Sequence, residues 1–338
     1  MPVGNSGCMP IYQLCISSTD VVASMTWYTE GLGMRRSRFA DVDSDVKPPS
    51  ASLKPGEVGL SEIQGIPGPV DIKVRANCLD QQGFFQYELF QYNSPKARPK
   101  PAGWRPCDIG YNIQSVFVVG FDATLARLAT LGTTPLGPVL GGPGERRVCV
   151  ADPDGIPVEL MEDDPRTSNP AVREHPEFGS VVRSVRLSVS DLQRSRRFFV
   201  DTLGMKPEPP HLLHGPEHEA LWGLTGAKRE IELVSTGDMF LELVQYTDPV
   251  GRPRPDDYVL CDQGILNIGI ASRDVNDYER TRDAVIGAGY HVEVPGIPAN
   301  GLLVCLYALD DQGFSVEMTW IDHRQDEEYG FIPEPANA

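Results

Sequence analysis

Polar and apolar positions alternate with period two from Val181 to Val189, where Val181, Val185, Leu187 and Val189 share one parity, the pattern of a strand. At Ser190-Asp191 the period lengthens. Leu192, Phe198, Phe199 and Leu203 then fall on one side of a helix, with Ser190 or Asp191 as N-cap and Gly204 as the stop. The chain opens in the same way: a strand over Tyr12–Ser17, Thr19 or Asp20 as cap, and Trp27, Tyr28 and Leu32 on the apolar helix face. Strands predicted at Phe84–Tyr92 and Met239–Tyr246 close these two units. Two more units begin with strands at Asn112–Val119 and Leu266–Ala271, continue as helices over Thr124–Leu131 and Val275–Ile286, and turn through Asp154-Gly155 and Gln312-Gly313 into strands at Ile156–Met161 and Phe314–Trp320.

The units are copies. Glu88-Leu89-Phe90-Gln91-Tyr92 returns as Glu242-Leu243-Val244-Gln245-Tyr246, and Pro95, Arg98, Pro99, Pro101, Cys107, Asp108 and Gly110 recur 154 residues later as Pro249, Arg252, Pro253, Pro255, Cys261, Asp262 and Gly264. Asp152, Gly155, Val158 and Glu159 match Asp310, Gly313, Val316 and Glu317 at a shift of 158. Asp20, Ser24 and Leu32-Gly33-Met34 match Asp191, Ser195 and Leu203-Gly204-Met205 at a shift of 171. Repetition held in order along the chain marks a duplicated architecture. It predicts an N-terminal domain at 8–164 (modules 8–94 and 108–164), a linker at 165–178, a C-terminal domain at 179–322 (modules 179–248 and 262–322) and an acidic tail at 323–338 that is solvated or loosely packed. The proline-rich stretches Pro95–Pro106 and Pro249–Pro255 read as stiff crossovers between modules.

Val185-Arg186-Leu187-Ser188-Val189-Ser190-Asp191-Leu192 with Ser195, Phe198-Phe199 and Leu203-Gly204-Met205 resembles the opening of a module of the vicinal oxygen chelate superfamily. Asp152-Pro153-Asp154-Gly155 leading to Val158-Glu159-Leu160 resembles its closing hairpin. The superfamily includes glyoxalase I, extradiol dioxygenases and bleomycin-binding proteins. The resemblance implies an α+β fold of four βαβββ modules paired into two domains, each wrapping a half-open sheet cleft. It also implies four ligand positions per cleft, on the first and last strand of each module. The first-strand position lies seven residues before the Asp that opens the helix, which selects Gln13, Ser184 and Asn267. In the second module the count gives Ser115, and the repeat shift gives Ile113 on the same strand face. The last-strand positions are Glu88, Glu159, Glu242 and Glu317.

With neighbouring modules paired, the N-terminal cleft would present Gln13, Glu88, Ser115 and Glu159, and the C-terminal cleft Ser184, Glu242, Asn267 and Glu317. Glyoxalase I uses Gln, Glu, His and Glu, so the first set is similar at three positions. Extradiol dioxygenases use two His and one Glu for ferrous iron, and neither set holds a His, so an iron-dependent ring-cleaving activity is not expected. Three readings of the glutamates follow. They bind a divalent metal (Mg, Mn, Zn, Ni or Fe) with Gln13 or Asn267. Alternatively, without cofactor, a glutamate of raised pKa is acid or base in proton transfer beside a carbonyl. In the third reading they are structural and the cleft only binds a ligand. The corresponding functions are a lyase or isomerase on a carbonyl-containing or aromatic metabolite, a sequestering protein of the bleomycin-resistance type, or a diverged ring-cleaving dioxygenase relative. By analogy with four-module dioxygenases, the C-terminal cleft is the expected substrate site.

Arg186 shares a strand face with Ser184 and Ser188, so it can hold a substrate oxygen or pair internally with Glu242 or Glu317. Cys15 holds the corresponding place in the first half and reads as a small buried residue. His211, His214 and His218 sit among Pro209, Pro210 and Gly215-Pro216, which favours a solvated loop over a metal site or lid. Trp27, Tyr28, Phe198 and Phe199 read as core, and Phe85, Tyr87 and Trp320 as pocket lining. Gly141-Gly142-Pro143-Gly144 lacks the strand, helix and Lys of a phosphate cradle.

The net charge of −17 disfavours nucleic acid and anionic membranes as partners, because both need basic surfaces. The expected partners are a small molecule and, at most, a second copy in a homodimer. Seven cysteines without a CxxC pair, and no apolar run of membrane-spanning length, lead us to expect a reduced, cytoplasmic protein.

Overall fold

The computed structural model describes residues 8–37, 61, 64–80, 82–166, 179–293 and 303–331. Module 1 supplies β1 (Ile11–Ser17), α1 (Val21–Thr26), β2 (Arg35–Arg36), β3 (Asp71–Leu79) and β4 (Gln86–Ser94). Module 2 supplies β5 (Gly110–Val118), α2 (Phe121–Thr130), β6 (Arg147–Ala151) and β7 (Pro157–Met161), with an isolated bridge between Leu140 and Arg147 where the other modules have a further strand. Module 3 supplies β8 (Ser180–Ser188), α3 (Leu192–Arg196), β9 (Lys206–Glu208), β10 (Lys228–Thr236) and β11 (Met239–Asp248). Module 4 supplies β12 (Gly264–Ser272), α4 (Val275–Gly287), β13 (His291–Glu293), β14 (Leu303–Leu309) and β15 (Ser315–Ile321).

The caps stand where the sequence places them. Asp20 accepts from the backbone N–H of Val22 and Ala23 at 3.1 Å each, and Asp191 accepts from that of Arg194 at 3.0 Å. Both helices then widen into a π-helical turn, Trp27–Gly31 and Arg197–Thr202. Each turn sends two successive aromatics inward, and Trp27 on Tyr28 and Phe198 on Phe199 meet edge to face at 5.0 Å.

The modules pair across the two halves of the chain. The first sheet runs β13-β14-β15-β12-β1-β4-β3-β2 and joins modules 1 and 4; the second runs β6-β7-β5-β8-β11-β10-β9 and joins modules 2 and 3. At the joints β1 pairs antiparallel with β12, and β5 with β8. This differs from the expected pairing of neighbours, and the connectors give the reason. Pro95, Pro99 and Pro101 carry no N–H, so the chain after β4 cannot continue as a paired strand and crosses to the other sheet. Pro249, Pro253 and Pro255 do the same after β11. The two crossovers clasp each other: Arg98 binds Asp262 through Nε at 2.7 Å and Nη2 at 2.6 Å, and Arg252 Nε binds Asp108 at 3.0 Å.

Strand parity separates two faces. Leu14, Ile16, Tyr87, Leu89, Val185, Leu187, Ile268 and Met318 join the helices and both sheets in one core. The opposite faces carry the glutamates. Tyr87 and Phe85 belong to the core, against the expectation that they line a pocket; they differ in parity from Glu88. Trp320 likewise lies on the opposite parity to Glu317, half-buried against the backbone of Arg273. The first residues of the expected acidic tail pack instead of trailing. Phe331 is buried against Tyr12 and Phe84, and Arg273 pairs with the buried Asp326. Positions 332–338, and 167–178 of the expected linker, lie outside the described residues.

Because each sheet takes one module from either half, neither half contains a complete module pair. Fragments 1–170 and 171–338 expressed separately should be unfolded or self-associated, while co-expression should yield a 1:1 complex by size exclusion. A monomeric, cooperatively melting single half would contradict the crossed pairing.

Candidate active site

The crossed sheets regroup the eight ligand positions. Gln13 and Glu88 meet Asn267 and Glu317 on the first sheet, while Ser115 and Glu159 meet Ser184 and Glu242 on the second. The sets Gln13/Glu88/Ser115/Glu159 and Ser184/Glu242/Asn267/Glu317 are therefore not assembled.

On the first sheet Gln13 Nε2 lies between two carboxylates, 2.9 Å from Glu88 Oε2 and 3.0 Å from Glu317 Oε2. Its carbonyl accepts from Gln86 Nε2 at 2.5 Å, and Gln86 accepts from Asn77 Nδ2 at 2.8 Å, so three amides form a relay into the cluster. Cys15 Sγ donates to Glu88 Oε2 at 3.1 Å. One donor atom each from Cys15, Glu88 and Glu317 lies within 4.8 Å of the others, a spacing that could hold a metal ion. The phenols of Tyr12 and Tyr307 donate to Glu317 Oε1 and Oε2, each at 3.0 Å. Among the described residues no Lys, Arg or His contacts Glu317. Burial, then the charge of Glu88, raise its pKa above the ordinary carboxylate range. Asn267 is 0% exposed, and neither Oδ1 nor Nδ2 has a hydrogen-bond partner. An orphaned buried amide is costly and uncommon.

Tyr12 reaches this cluster against strand parity. The β1–β12 register shifts between Ile11 and Gln13, and this bulge re-aims the side chain. Opposite stands Gly269, where a Cβ would lie 2.8 Å from the Tyr12 ring and 3.0 Å from Gln13 Cβ. Period counting from sequence could not find Tyr12, because it assumes an unbroken alternation.

The second sheet solves the same problem with cations. His214 is 1% exposed and bridges the modules: Nε2 lies 2.6 Å from Glu159 Oε2, and Nδ1 2.8 Å from Glu242 Oε1. This corrects the expectation of a solvated loop for the histidines, although His211 is exposed. Ser115 donates to Glu159 at 2.6 Å, while Ile113 packs in an apolar cluster. Arg147 also binds Glu159, at 3.2 Å. Arg186 donates to Glu242 at 2.9 Å and to Glu219 and Tyr246 at 2.8 Å, the internal pairing rather than the substrate-binding one. Glu219 further accepts from Trp222 at 3.0 Å and pairs with Arg229. Ser184, also buried, has no partner for its hydroxyl. Three carboxylates thus face three guanidiniums and an imidazole, and the His214 ring lies between Glu159 and Glu242. Proximity of three histidines was the available signal; Glu219 and Arg147 carried none.

No family model matches the sequence, and no curated protein matches it. In structure the chain is similar to glyoxalase I from Zea mays, with 17% identity, 93% of this chain and 92% of that chain covered, and a TM-score of 0.56. It is also similar to a candidate dioxygenase from Bacillus subtilis subsp. subtilis, with 12% identity, 98% of both chains covered, and a TM-score of 0.56. The chain shares the α+β fold of these structures, with the four modules expected from its sequence but not their expected pairing.

The His214 bridge has a pH signature. The two carboxylates raise the His214 pKa against the opposing effect of burial, while Glu159 is held down at about 2 although burial opposes it. His214 therefore contributes stability that is present below its unfolded value of about 6.5 and lost as pH rises through its higher folded value. Glu159 contributes stability present above its unfolded value and lost as pH falls towards about 2. Wild-type melting temperature should fall on the alkaline side, and His214→Gln should flatten that limb. The substitution should cost about 3 kcal/mol or less, read by urea denaturation, because it removes the cation shared by two buried carboxylates, which keep Arg147 and Arg186.

Proposed function

We propose that the first-sheet cluster is the active site of a small-molecule enzyme, a lyase or isomerase that moves a proton at a carbon beside a carbonyl. The observation that carries this reading is the meeting of Glu88 and Glu317 on the Gln13 amide, with the unpaired Asn267 opposite Cys15 on the neighbouring strand and, among the described residues, no cationic partner for Glu317. This choice departs from the C-terminal cleft expected by analogy.

The donor set suits a hard or borderline divalent cation, since two carboxylates supply charge and two amides supply neutral oxygens. Gln13, Glu88, Asn267 and Glu317 would hold it, with Cys15 as an additional soft donor. The orphaned Asn267 Oδ1 supports this fit, and a turn of the Gln13 amide, passed along Gln86 and Asn77, would present Oε1 in place of Nε2. When bound, such an ion polarises a substrate oxygen as a Lewis acid.

The chain's own groups handle the proton. Tyr12 and Tyr307 hold both oxygens of Glu317 and fix the direction in which the carboxylate can accept. Its raised pKa brings the proton-bound form closer to neutral pH, which suits a group that takes a proton from carbon and returns it. Ile72, Phe90, Tyr92 and Leu266 pack on this face and limit water around the cluster. The fold similarity to glyoxalase I adds support for the reaction class, and the substrate is expected to be a small carbonyl compound.

Equilibrium dialysis against Co²⁺, Ni²⁺, Mn²⁺ and Zn²⁺ tests the site, with the Co²⁺ absorption spectrum as a second readout. Wild type should bind about one ion per chain, and Glu88→Gln with Glu317→Gln should weaken it by roughly tenfold to a hundredfold or more. Glu159→Gln should leave the ion count unchanged. Near-ultraviolet thiolate-to-Co²⁺ absorption that is lost in Cys15→Ser would place the thiol in the shell. Glu317→Gln should also abolish deuterium uptake from solvent into a panel of α-hydroxy carbonyl compounds. An ion count of zero, or one indifferent to both glutamates, would refute the metal site. Exchange unaffected by Glu317→Gln would refute the base.

A further inference from the structure

Between the two crossovers lies a pocket of about 620 Å³, walled by Trp104, Tyr111, Tyr258 and Phe314. No residue of either carboxylate cluster lines it. Two of its lining residues are Lys100 and Arg254, which are copies of one position, 154 residues apart. Their surroundings are copied as well. Lys100 Nζ lies 4.1 Å from the Trp104 ring centre and donates to the carbonyl of Gly155 at 3.0 Å. The Arg254 guanidinium lies 4.8 Å from both the Tyr258 and Phe314 rings, and its Nη2 donates to the carbonyl of Gly313 at 2.8 Å and of Gln312 at 3.1 Å. Trp104 and Tyr258 are repeat mates, as are Gly155 and Gly313.

The neighbouring arginines are differently placed. Arg98 is paired with Asp262 and Asp257, and Arg252 with Asp108, all within the crossovers. Among the described residues, neither Lys100 nor Arg254 reaches a carboxylate at ion-pair distance. Asp152 and Asp154 act on Lys100 only at longer range, and their oxygens are engaged by Tyr28, Thr19 and Ser24. Backbone carbonyls and rings orient the two cations without neutralising them. The lining also holds Asp108 and Asp262, paired with Arg252 and Arg98, and Asp256, so four basic and three acidic side chains leave it slightly positive in a chain of net charge −17. One sits at the closing turn of module 2 and the other at that of module 4.

The geometry points to a second binding site, for a small organic dianion with a flat apolar body. Its two anionic groups meet Lys100 and Arg254, and its body lies against the aromatic walls. The volume is that of an ordinary small-molecule pocket. Since the pocket is formed by both crossovers, such a ligand bridges the halves of the chain, and its site is separate from the proposed first-sheet chemistry.

Isothermal titration of the full chain with benzene-1,4-dicarboxylate tests this, using benzoate and the neutral 1,4-dicarboxamide as controls. The dicarboxylate should bind one per chain with a Kd of about 1 mM or tighter, and each control should bind at least about tenfold more weakly. Lys100→Gln and Arg254→Gln, each keeping a side-chain N–H for the backbone carbonyl, should each weaken the dicarboxylate about tenfold or more. Lys100→Arg should retain it, as should Glu88→Gln with Glu317→Gln, which separates this site from the proposed active site. Absence of saturable dicarboxylate binding would overturn the inference. So would equal binding of either control, or affinities unchanged in both Gln variants.

Discussion

The proline-rich crossovers determine how everything else in this protein is arranged. Residues without N–H groups cannot extend the strand's pairing, and past them the chain runs to the other sheet, where the next module begins. That happens after β4 and again after β11, and the two passages are held together by reciprocal arginine–aspartate pairs between Arg98 and Asp262 and between Arg252 and Asp108. Each pair joins one half of the chain to the other. The consequence is that β1 lies beside β12 and β5 beside β8, and the joints bring together ligand positions far apart in sequence.

The two sheets then show different electrostatic solutions at equivalent positions. Both place a glutamate on the last strand of each module, and two buried carboxylates facing each other repel. On the second sheet the repulsion is removed by His214, Arg147 and Arg186, all within the protein. In that network every carboxylate meets a cation, although the Ser184 hydroxyl and Arg186 Nη2 have no partner. On the first sheet Glu317 is held by phenols and an amide, and the Asn267 amide has no partner at all. The repeated positions are the same on both sheets; the residues around them differ, cations on the second and phenols and amides on the first.

The first-sheet cluster also depends on a departure from regular strand geometry. Without the bulge at Tyr12 and the missing side chain at Gly269, the phenol could not turn toward Glu317. Bulges beside active sites commonly serve to re-aim one side chain. Here the bulge lies at the junction of modules 1 and 4, where the crossed pairing makes a joint.

Local rules read from the sequence were sufficient for much of the molecule. Helix caps at Asp20 and Asp191, the aromatic helix faces, the strand positions and the four glutamates depend on residues a few positions apart, where periodicity and capping chemistry act. The internal repeat disclosed the four modules for the same reason, since copied sequence keeps its local preferences. Which modules share a sheet was decided only in three dimensions, because pairing depends on where a connector carries the chain. The histidine cluster was visible in sequence, but the role of His214 was not: its loop is irregular, and the two glutamates it bridges are brought together only by that pairing. Counting ligand positions picked out Glu88 and Glu317 but assigned them to different clefts, and alternation failed for Tyr12, where a bulge breaks it. The sequence by itself determined the elements and the chemistry available to them; the tertiary structure decided which of those groups face one another, since contact between distant residues is a property of the folded path.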